Sequence, residues 1–141
     1  MSLFGAPVAP PAALPSPNAD YVGRFAMAID LVMRAQTRLI QEVDTASRAP
    51  EILKDASWQE RSQEAAQQLA EAGAELRIKP VPDSLAVVDG MLAEAQREGQ
   101  IASQTHVSSV AAGNLAAMVS TLQHLDRMAE LIEQAYAVIR R

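Results

Sequence analysis

Residues 113–141 read GNLAAMVSTLQHLDRMAELIEQAYAVIRR. In this stretch apolar side chains recur at alternating intervals of three and four residues: Leu115, Met118, Leu122, Leu125, Ala129, Ile132, Tyr136 and Ile139. Such spacing predicts a helix over residues 114–140 whose apolar seam packs against other helices. Glycine favours the position after a helix and asparagine the N-cap of the next one, so Gly113-Asn114 predicts that a preceding helix ends here.

A second seam with the same spacing lies near the start of the chain and predicts a helix over residues 17–47. Its members are Val22, Phe25, Ile29, Val32, Gln36, Leu39, Val43 and Ala46, and Met33 and Ile40 widen the stripe. Ser16 and Asn18 are alternative N-caps for this helix. Its end is predicted before Pro50, because a residue that precedes proline disfavours helical geometry.

Prolines bound the two remaining helices, which we expect at residues 50–78 and 83–112. Ser57-Trp58-Gln59-Glu60 forms a capping box, so a restart or kink of the second helix is expected at Ser57. Gly99 leaves two alternatives for the third helix. Either it continues through Gly99 and all four helices have similar lengths, or it ends there and the last helix begins near Thr105. Equal lengths are favoured because they leave only short connections.

The sequence therefore predicts an all-α protein, an up-down-up-down four-helix bundle over residues 18–141 that follows a Pro/Ala-rich N-terminal arm. The arm, residues 1–17, contains five of the eight prolines and no charged side chain, a composition typical of extended chain. Two alternatives are open for it. The arm is either a loose tether or a strap that docks across a subunit interface through Phe4, Val8 and Leu14.

Composition excludes several classes of function. The chain carries 17 acidic and 12 basic side chains, a net charge of −5, and no basic run, so no nucleic-acid partner is expected. It contains no cysteine, which excludes disulfides and thiolate metal sites. No apolar run approaches the roughly 20 residues of a membrane span, and no positive charge precedes Arg24 as in a standard secretory signal. A cytoplasmic location is expected, with secretion by a signal-less route left open.

Motifs for catalysis, cofactors and metals are not found in the sequence. Neither His106 nor His124 follows a glutamate by three residues, as di-iron bundles require. The two histidines are 18 positions apart, roughly 27 Å along one helix, so they cannot share a metal ion. No glycine-rich phosphate loop or nucleophile elbow occurs. We therefore expect no catalytic residue, no cofactor and no metal site, and interpret the chain as not an enzyme.

Three polar residues are predicted to form a cluster inside the bundle. Gln36 interrupts the seam of the first helix, and the equal-length arrangement places it near the level of Ser62 and His106. Small or polar residues occupy the positions of the third helix where large apolar ones are expected: Gly99, Ala102, His106 and Ser109. A polar pocket or partner groove lined by Gln36, Ser62 and His106 is one interpretation. Close approach of helices through small residues is the other.

The predicted function is that of a structural or protein–protein interaction module, such as an adaptor, a chaperone or an assembly subunit. Alanine-rich seams bury little apolar area, so association with a second copy or with another protein is expected to add stability. The alternative is a signalling or ligand-sensing bundle centred on His106 that works by histidine phosphotransfer. The lysine and glycine usual after such a histidine are replaced here by Ser109 and Val110.

Overall fold

The structure, a computed structural model, describes residues 17–141. Of the arm expected at residues 1–17, only Pro17 is among the described residues. Phe4, Val8 and Leu14, through which the arm was expected to dock, lie outside them. Four α-helices follow one another: α1 (Pro17–Arg48), α2 (Ala56–Ala74), α3 (Ala86–Ala112) and α4 (Leu115–Ile139). Short 3-10 helices precede α2 (Pro50–Lys54) and α3 (Asp83–Leu85). Helix accounts for 89% of the described residues and no strand occurs among them, which confirms the prediction of an all-α protein with four helices.

The second helical stretch is interrupted near Ser57, where a restart or kink was expected, and α2 begins at Ala56. α2 has only 19 residues, and Asp55, which separates it from the preceding 3-10 helix, has extended backbone geometry. The Asp55 carboxylate accepts hydrogen bonds from the backbone N–H groups of Ser57 (2.9 Å) and Trp58 (3.4 Å), so Asp55 is the N-cap. The restart expected at Ser57 is confirmed to within one residue, but the capping box is wrong because Asp55, not Ser57, caps the helix. The Ser57 hydroxyl instead accepts a hydrogen bond from Arg61 (2.8 Å).

α2 also ends earlier than expected, at Ala74. Residues 75–82 contain no regular helix, yet Leu76 and Ile78 are buried in the core. Two side chains two positions apart point to the same side of an extended chain but to nearly opposite sides of a helix. An extended segment can therefore bury both residues, whereas a helix continuing to residue 78 would expose one of them.

α3 continues through Gly99 and ends at Ala112. Gly113 has a φ of 62°, a left-handed geometry that glycine adopts without steric cost, and the Asn114 N–H donates to the Ser109 carbonyl oxygen (2.9 Å). The Asn114 side chain accepts from the Ala117 N–H (3.0 Å) and caps α4. The four lengths are 32, 19, 27 and 25 residues, so the expectation of equal lengths fails for α2.

Alanine substitutions should separate two kinds of glycine in this fold. Gly23→Ala and Gly90→Ala should each raise the free energy of unfolding by about 0.5–1 kcal/mol, because both glycines are exposed within helices and an added Cβ meets no atom within 4 Å. Gly113→Ala should lower it by about 1 kcal/mol, because alanine is strained at this positive φ. Urea unfolding followed by circular dichroism measures all three effects. A stabilising Gly113→Ala would contradict the helix end described above.

The buried stripes of α1 and α4 differ from the predicted seams at alternate positions. In α1, Tyr21, Ala28 and Ala35 are buried in place of Val22, Ile29 and Gln36. In α4, Thr121, Met128 and Ala135 are buried in place of Leu122, Ala129 and Tyr136. Each buried residue directly precedes the predicted one, so both helices present a neighbouring face to the core. The expectation that Met33 and Ile40 widen the buried stripe is wrong, since they are 59% and 45% exposed.

Two apolar clusters fill the interior of the helical assembly. The larger draws residues from all four helices, among them Phe25, Leu39, Leu69, Leu92 and Met128. The smaller consists of Val43, Ala46, Trp58, Val110 and Met118. Packing is most extensive between α3 and α4 and sparse between α1 and α4. None of the helices in residues 17–141 combines the length and apolar content that crossing a membrane requires.

Candidate functional site

A layer of polar side chains lies between the two apolar clusters. Ser62 of α2, His106 of α3 and Thr121 of α4 are fully buried, and we call them the polar layer. On each of these helices a member of one cluster lies about one turn before the polar residue, and a member of the other cluster lies about one turn after it. These flanking residues are Trp58 and Ala65 on α2, Ala102 and Val110 on α3, and Met118 and Leu125 on α4. The polar layer therefore divides the apolar interior on three of the four helices.

Ser62 and His106 contact each other directly. The Ser62 Oγ and the His106 Nε2 lie 2.6 Å apart, and this hydrogen bond joins α2 to α3. Beside it, the Ser103 hydroxyl donates to the Ala66 carbonyl oxygen (2.8 Å), a second bond between the same two helices. In the interior a hydrogen bond is strengthened by the low dielectric, and a lost partner is costly. The two bonds therefore favour one alignment of α2 and α3 over slipped ones.

Burial determines the charge of His106. Removal of the ring from water disfavours the protonated form and lowers the pKa of His106 from 6.5 to about 4, so the side chain is neutral at pH 7. The His106 Nδ1 and the Thr121 Oγ1 are buried and have no hydrogen-bond partner within residues 17–141. The polar layer thus brings polar atoms into the core without bringing a charge there.

The chemistry open to the Ser62–His106 pair is limited by access. A serine hydroxyl bonded to an imidazole nitrogen is the arrangement that activates serine as a nucleophile. Catalysis also requires a group that orients the other ring nitrogen and a place for substrate beside the hydroxyl. The His106 Nδ1 has no such partner in the part of the chain that the structure describes, and both side chains are fully buried. The geometry therefore supports a packing role for this pair.

Gln36, the third residue of the expected polar cluster, has a different partner. Its Nε2 donates to the backbone carbonyl oxygen of Leu125 (3.2 Å), so it joins α1 to α4. The structure contains no hydrogen bond from Gln36 to Ser62 or His106 among the described residues. Thr121, which sequence reasoning missed, is the third buried polar residue at this level. Leu122 was the expected core residue because its side chain is larger and more apolar than that of Thr121. Nothing in the sequence favoured Thr121 over Leu122.

His124 lies outside the polar layer and pairs with a carboxylate. Its Nδ1 is 3.0 Å from the Glu98 Oε1, and both side chains are partly exposed where α3 meets α4. Glu98 on α3 is therefore the hydrogen-bond partner of His124. This contact shows which flank of α4 faces α3. No group of three or more His, Asp or Glu side chains in residues 17–141 is placed to hold a metal ion.

The other flank of α4 faces α1 and leaves an apolar surface. Because Gln36 bonds to Leu125, the row of α1 residues that contains Gln36 lies on the α4 side. We call the two facing rows the α1–α4 face, which consists of Ile29, Met33, Gln36 and Ile40 of α1 and Leu122, Ala129 and Tyr136 of α4. Met33 and Tyr136 in these rows are 59% and 47% exposed. Charged side chains border both of them: Met33 shares a surface hollow with Asp30, Arg34 and Arg38, and the Arg140 guanidinium lies 4.8 Å from the centre of the Tyr136 ring. Large apolar side chains are thus left partly in water here.

A groove lies on the opposite side of α1, between α1 and α2. Charged side chains dominate its lining, which includes Arg24, Leu31, Arg34, Arg38, Glu71 and Glu75. Arg38 is bonded to Gln68 and lies 3.4 Å from Glu64, so charges in this groove already have partners. Arg34 and Arg38 line this groove and also border Met33, so charged side chains reach both sides of α1.

No family model, no curated protein and no solved structure matches this chain. The class of the protein is therefore defined by its own fold and site. It is an all-α, bundle-like protein with a neutral polar layer in its interior and an exposed apolar face between its first and last helices.

Proposed function

We propose that the protein is a non-enzymatic module for protein–protein interaction or assembly, an adaptor, chaperone or assembly subunit that associates with copies of itself. The observation that carries this proposal is the α1–α4 face. Exposed Met33, Ile40 and Tyr136 cost free energy in water, and covering them with another protein surface recovers it. Fully buried polar residues, by contrast, offer no surface to a substrate.

We further propose that the four helices form an up-down-up-down bundle. Contacts between α1 and α2 support it, because Arg24 near the start of α1 reaches Lys79 beyond the end of α2, while Arg38 contacts Glu64. The link from Ser62 early in α2 to His106 late in α3 supports an antiparallel second pair. A connection of only two residues between α3 and α4 favours antiparallel packing there as well.

Burial of His106 favours this proposal over a phosphotransfer bundle. Transfer of a phosphoryl group to an imidazole requires that a ring nitrogen be reached by the donor, and His106 is fully buried. The net charge of −5 likewise favours protein partners over nucleic acid.

Light scattering on a dilution series tests self-association. At tens of micromolar we expect a species of about twice the 15.1 kDa chain mass, dissociating on dilution. Met33→Lys places a charge in the α1–α4 face and should weaken the dimer about tenfold or more, whereas Met27→Lys, on the α1–α2 side of the same helix, should not. Met27 is 71% exposed, which makes it a matched control. A 15.1 kDa species at every concentration would refute the proposal.

A further inference from the structure

We infer that α1 binds α1 of a second copy, antiparallel to it and around a two-fold axis that passes beside Met33. This inference rests on the proposed function in one respect, that copies of the chain associate through the α1–α4 face. The partner helix, its direction and its register follow from the distribution of charge among the four helices, from the exposed apolar residues of α1 and from the charges that border Met33.

Among the four described α-helices, α1 alone carries no net charge. It contains four acidic and four basic side chains, whereas α2, α3 and α4 each contain three acidic side chains and one basic. The whole chain has a net charge of −5, so two copies repel each other when their acidic helices approach. This repulsion is weakest where the two α1 helices meet. Electrostatics therefore favours α1 as the helix that faces a second copy.

α1 also carries half of the large apolar side chains that are exposed in residues 17–141, namely Met27, Leu31, Met33 and Ile40. On the side of α1 that faces α4, apolar and small residues recur at intervals of three and four, the spacing of a seam between paired helices. We call them the α1 row, which consists of Ala26, Ile29, Met33, Thr37 and Ile40. On α4 the exposed Tyr136 ring is already partly covered by the Arg140 guanidinium. The α1 row therefore supplies most of the apolar surface for a partner.

The α1 row complements itself in the antiparallel direction. Around a two-fold axis beside Met33, each residue faces the residue that lies equally far on the other side of position 33. Met33 then faces Met33 of the second copy, Ile40 faces Ala26, and Ile29 faces Thr37, so each isoleucine meets a smaller side chain. In a parallel pair Ile40 would face Ile40 and Ala26 would face Ala26, which overpacks one level and underpacks the other. Packing therefore favours the antiparallel pair.

The charges beside Met33 complement each other in the same register. Asp30 and Arg34 form an ion pair within α1 (2.8 Å), and their side chains are 60% and 76% exposed. A two-fold axis brings the same flank of both helices together, so Asp30 of one copy lies two residues, about 3 Å, from the level of Arg34 of the other. Each carboxylate thereby gains a second guanidinium, and two ion pairs form between the copies. Arg38, which also borders Met33, keeps its partners Gln68 and Glu64 on α2.

Single cysteines in the full chain test the axis and the direction, because the chain contains no cysteine of its own. In a glutathione redox buffer at tens of micromolar protein, Met33→Cys should form at least about fivefold more disulfide-linked dimer than Met27→Cys, its matched control on the α1–α2 side. Ile40→Cys should not link to itself, because the two thiols lie about 21 Å apart along the helices. A mixture of Ile40→Cys and Ala26→Cys should link, since these positions face each other.

Charge reversal tests the two ion pairs between the copies. Arg34→Asp replaces both attractive contacts by repulsive ones and should weaken the dimer about fivefold or more at low ionic strength. The double variant Asp30→Arg/Arg34→Asp recreates both contacts and should restore the dissociation constant to within about twofold. Arg24→Asp is the matched control, because Arg24 is likewise ion-paired within α1, to Asp20, but lines the α1–α2 groove. It should leave the dissociation constant unchanged.

Light scattering on the same samples separates failure of this inference from failure of the proposed function. A 15.1 kDa species at every concentration overturns self-association itself. A dimer in which Met33→Cys links no more than Met27→Cys, or in which Ile40→Cys links to itself rather than to Ala26→Cys, overturns only the antiparallel α1 pair. A double variant that dimerises as weakly as Arg34→Asp overturns the ion pairs and, with them, the register.

Discussion

Lowering the pH from 7 to 4 should reduce the free energy of unfolding by about 3 kcal/mol through His106 alone. The pKa of an unfolded histidine is near 6.5, and burial lowers the pKa of folded His106 to about 4. Between these values the unfolded chain binds a proton that the folded chain does not. Stability from this residue is therefore complete above pH 6.5 and is lost progressively as the pH falls toward 4.

Urea unfolding at pH 7, 5.5 and 4 measures the effect. Carboxylates also titrate in this range, so the comparison is with His106→Gln, which keeps a side-chain group able to bond to Ser62 but does not titrate. The variant should show a weaker dependence of stability on pH, by about 3 kcal/mol over the interval. Equal pH dependence in the two proteins would show that the His106 ring becomes protonated within the folded state.

Trp58→Ala should be the most destabilising single substitution in the smaller cluster, with a loss of about 3–5 kcal/mol. Trp58 is the largest of the fully buried side chains, and its removal leaves a cavity among Val43, Ala46, Val110 and Met118. The cavity cannot close easily, because the polar layer on the other side keeps Ser62 and His106 bonded to each other. Residues of the larger cluster are therefore prevented from moving into the cavity left by Trp58.

Thermal and urea unfolding followed by circular dichroism provide the test. Trp58→Phe, which retains an aromatic ring, should cost less than Trp58→Ala, and Tyr136→Ala, at a residue 47% exposed, should cost less than either. A loss below about 1 kcal/mol for Trp58→Ala would mean that the smaller cluster rearranges freely and that the polar layer does not restrain it.

The polar layer and the α1–α4 face are expected to have different roles. The polar layer acts on the alignment of helices within one chain, and the α1–α4 face acts on association with other chains. The Ser62–His106 bond is buried and joins α2 to α3, so we expect it to act on internal alignment, in the way that a single buried polar residue selects one register in a coiled coil. The exposed apolar residues of the α1–α4 face are expected instead to contact other proteins. Met33 and Tyr136 are available to a partner because α1 packs sparsely on α4.

Part of the site could be predicted from the sequence because it depends on spacing within one helix. Leu92, Gly99 and His106 recur at intervals of seven, and all three are buried. Ser62 follows Trp58 by four residues and is buried beside it on the same face of α2. The position of Gln36 along the helical assembly could be estimated in the same way. Its hydrogen-bond partner could not, because every residue has a backbone carbonyl and the sequence does not distinguish that of Leu125 from the others.

The sequence by itself determined that the chain forms four helices, each with one apolar side, and it favoured Gly113-Asn114 over Gly99 as the break between the last two. These features follow from local backbone sterics, capping and helical periodicity, which act within a few residues. Only the tertiary structure decided that Asp55 caps α2 and that Thr121 rather than Leu122 enters the core. A helix with apolar residues at adjacent positions can present either of two overlapping stripes, and the choice depends on the surfaces of its neighbours. Because α1 is closely packed on α2 but only sparsely on α4, its stripe turns toward Ala28 and Ala35 and leaves Met33 and Ile40 exposed.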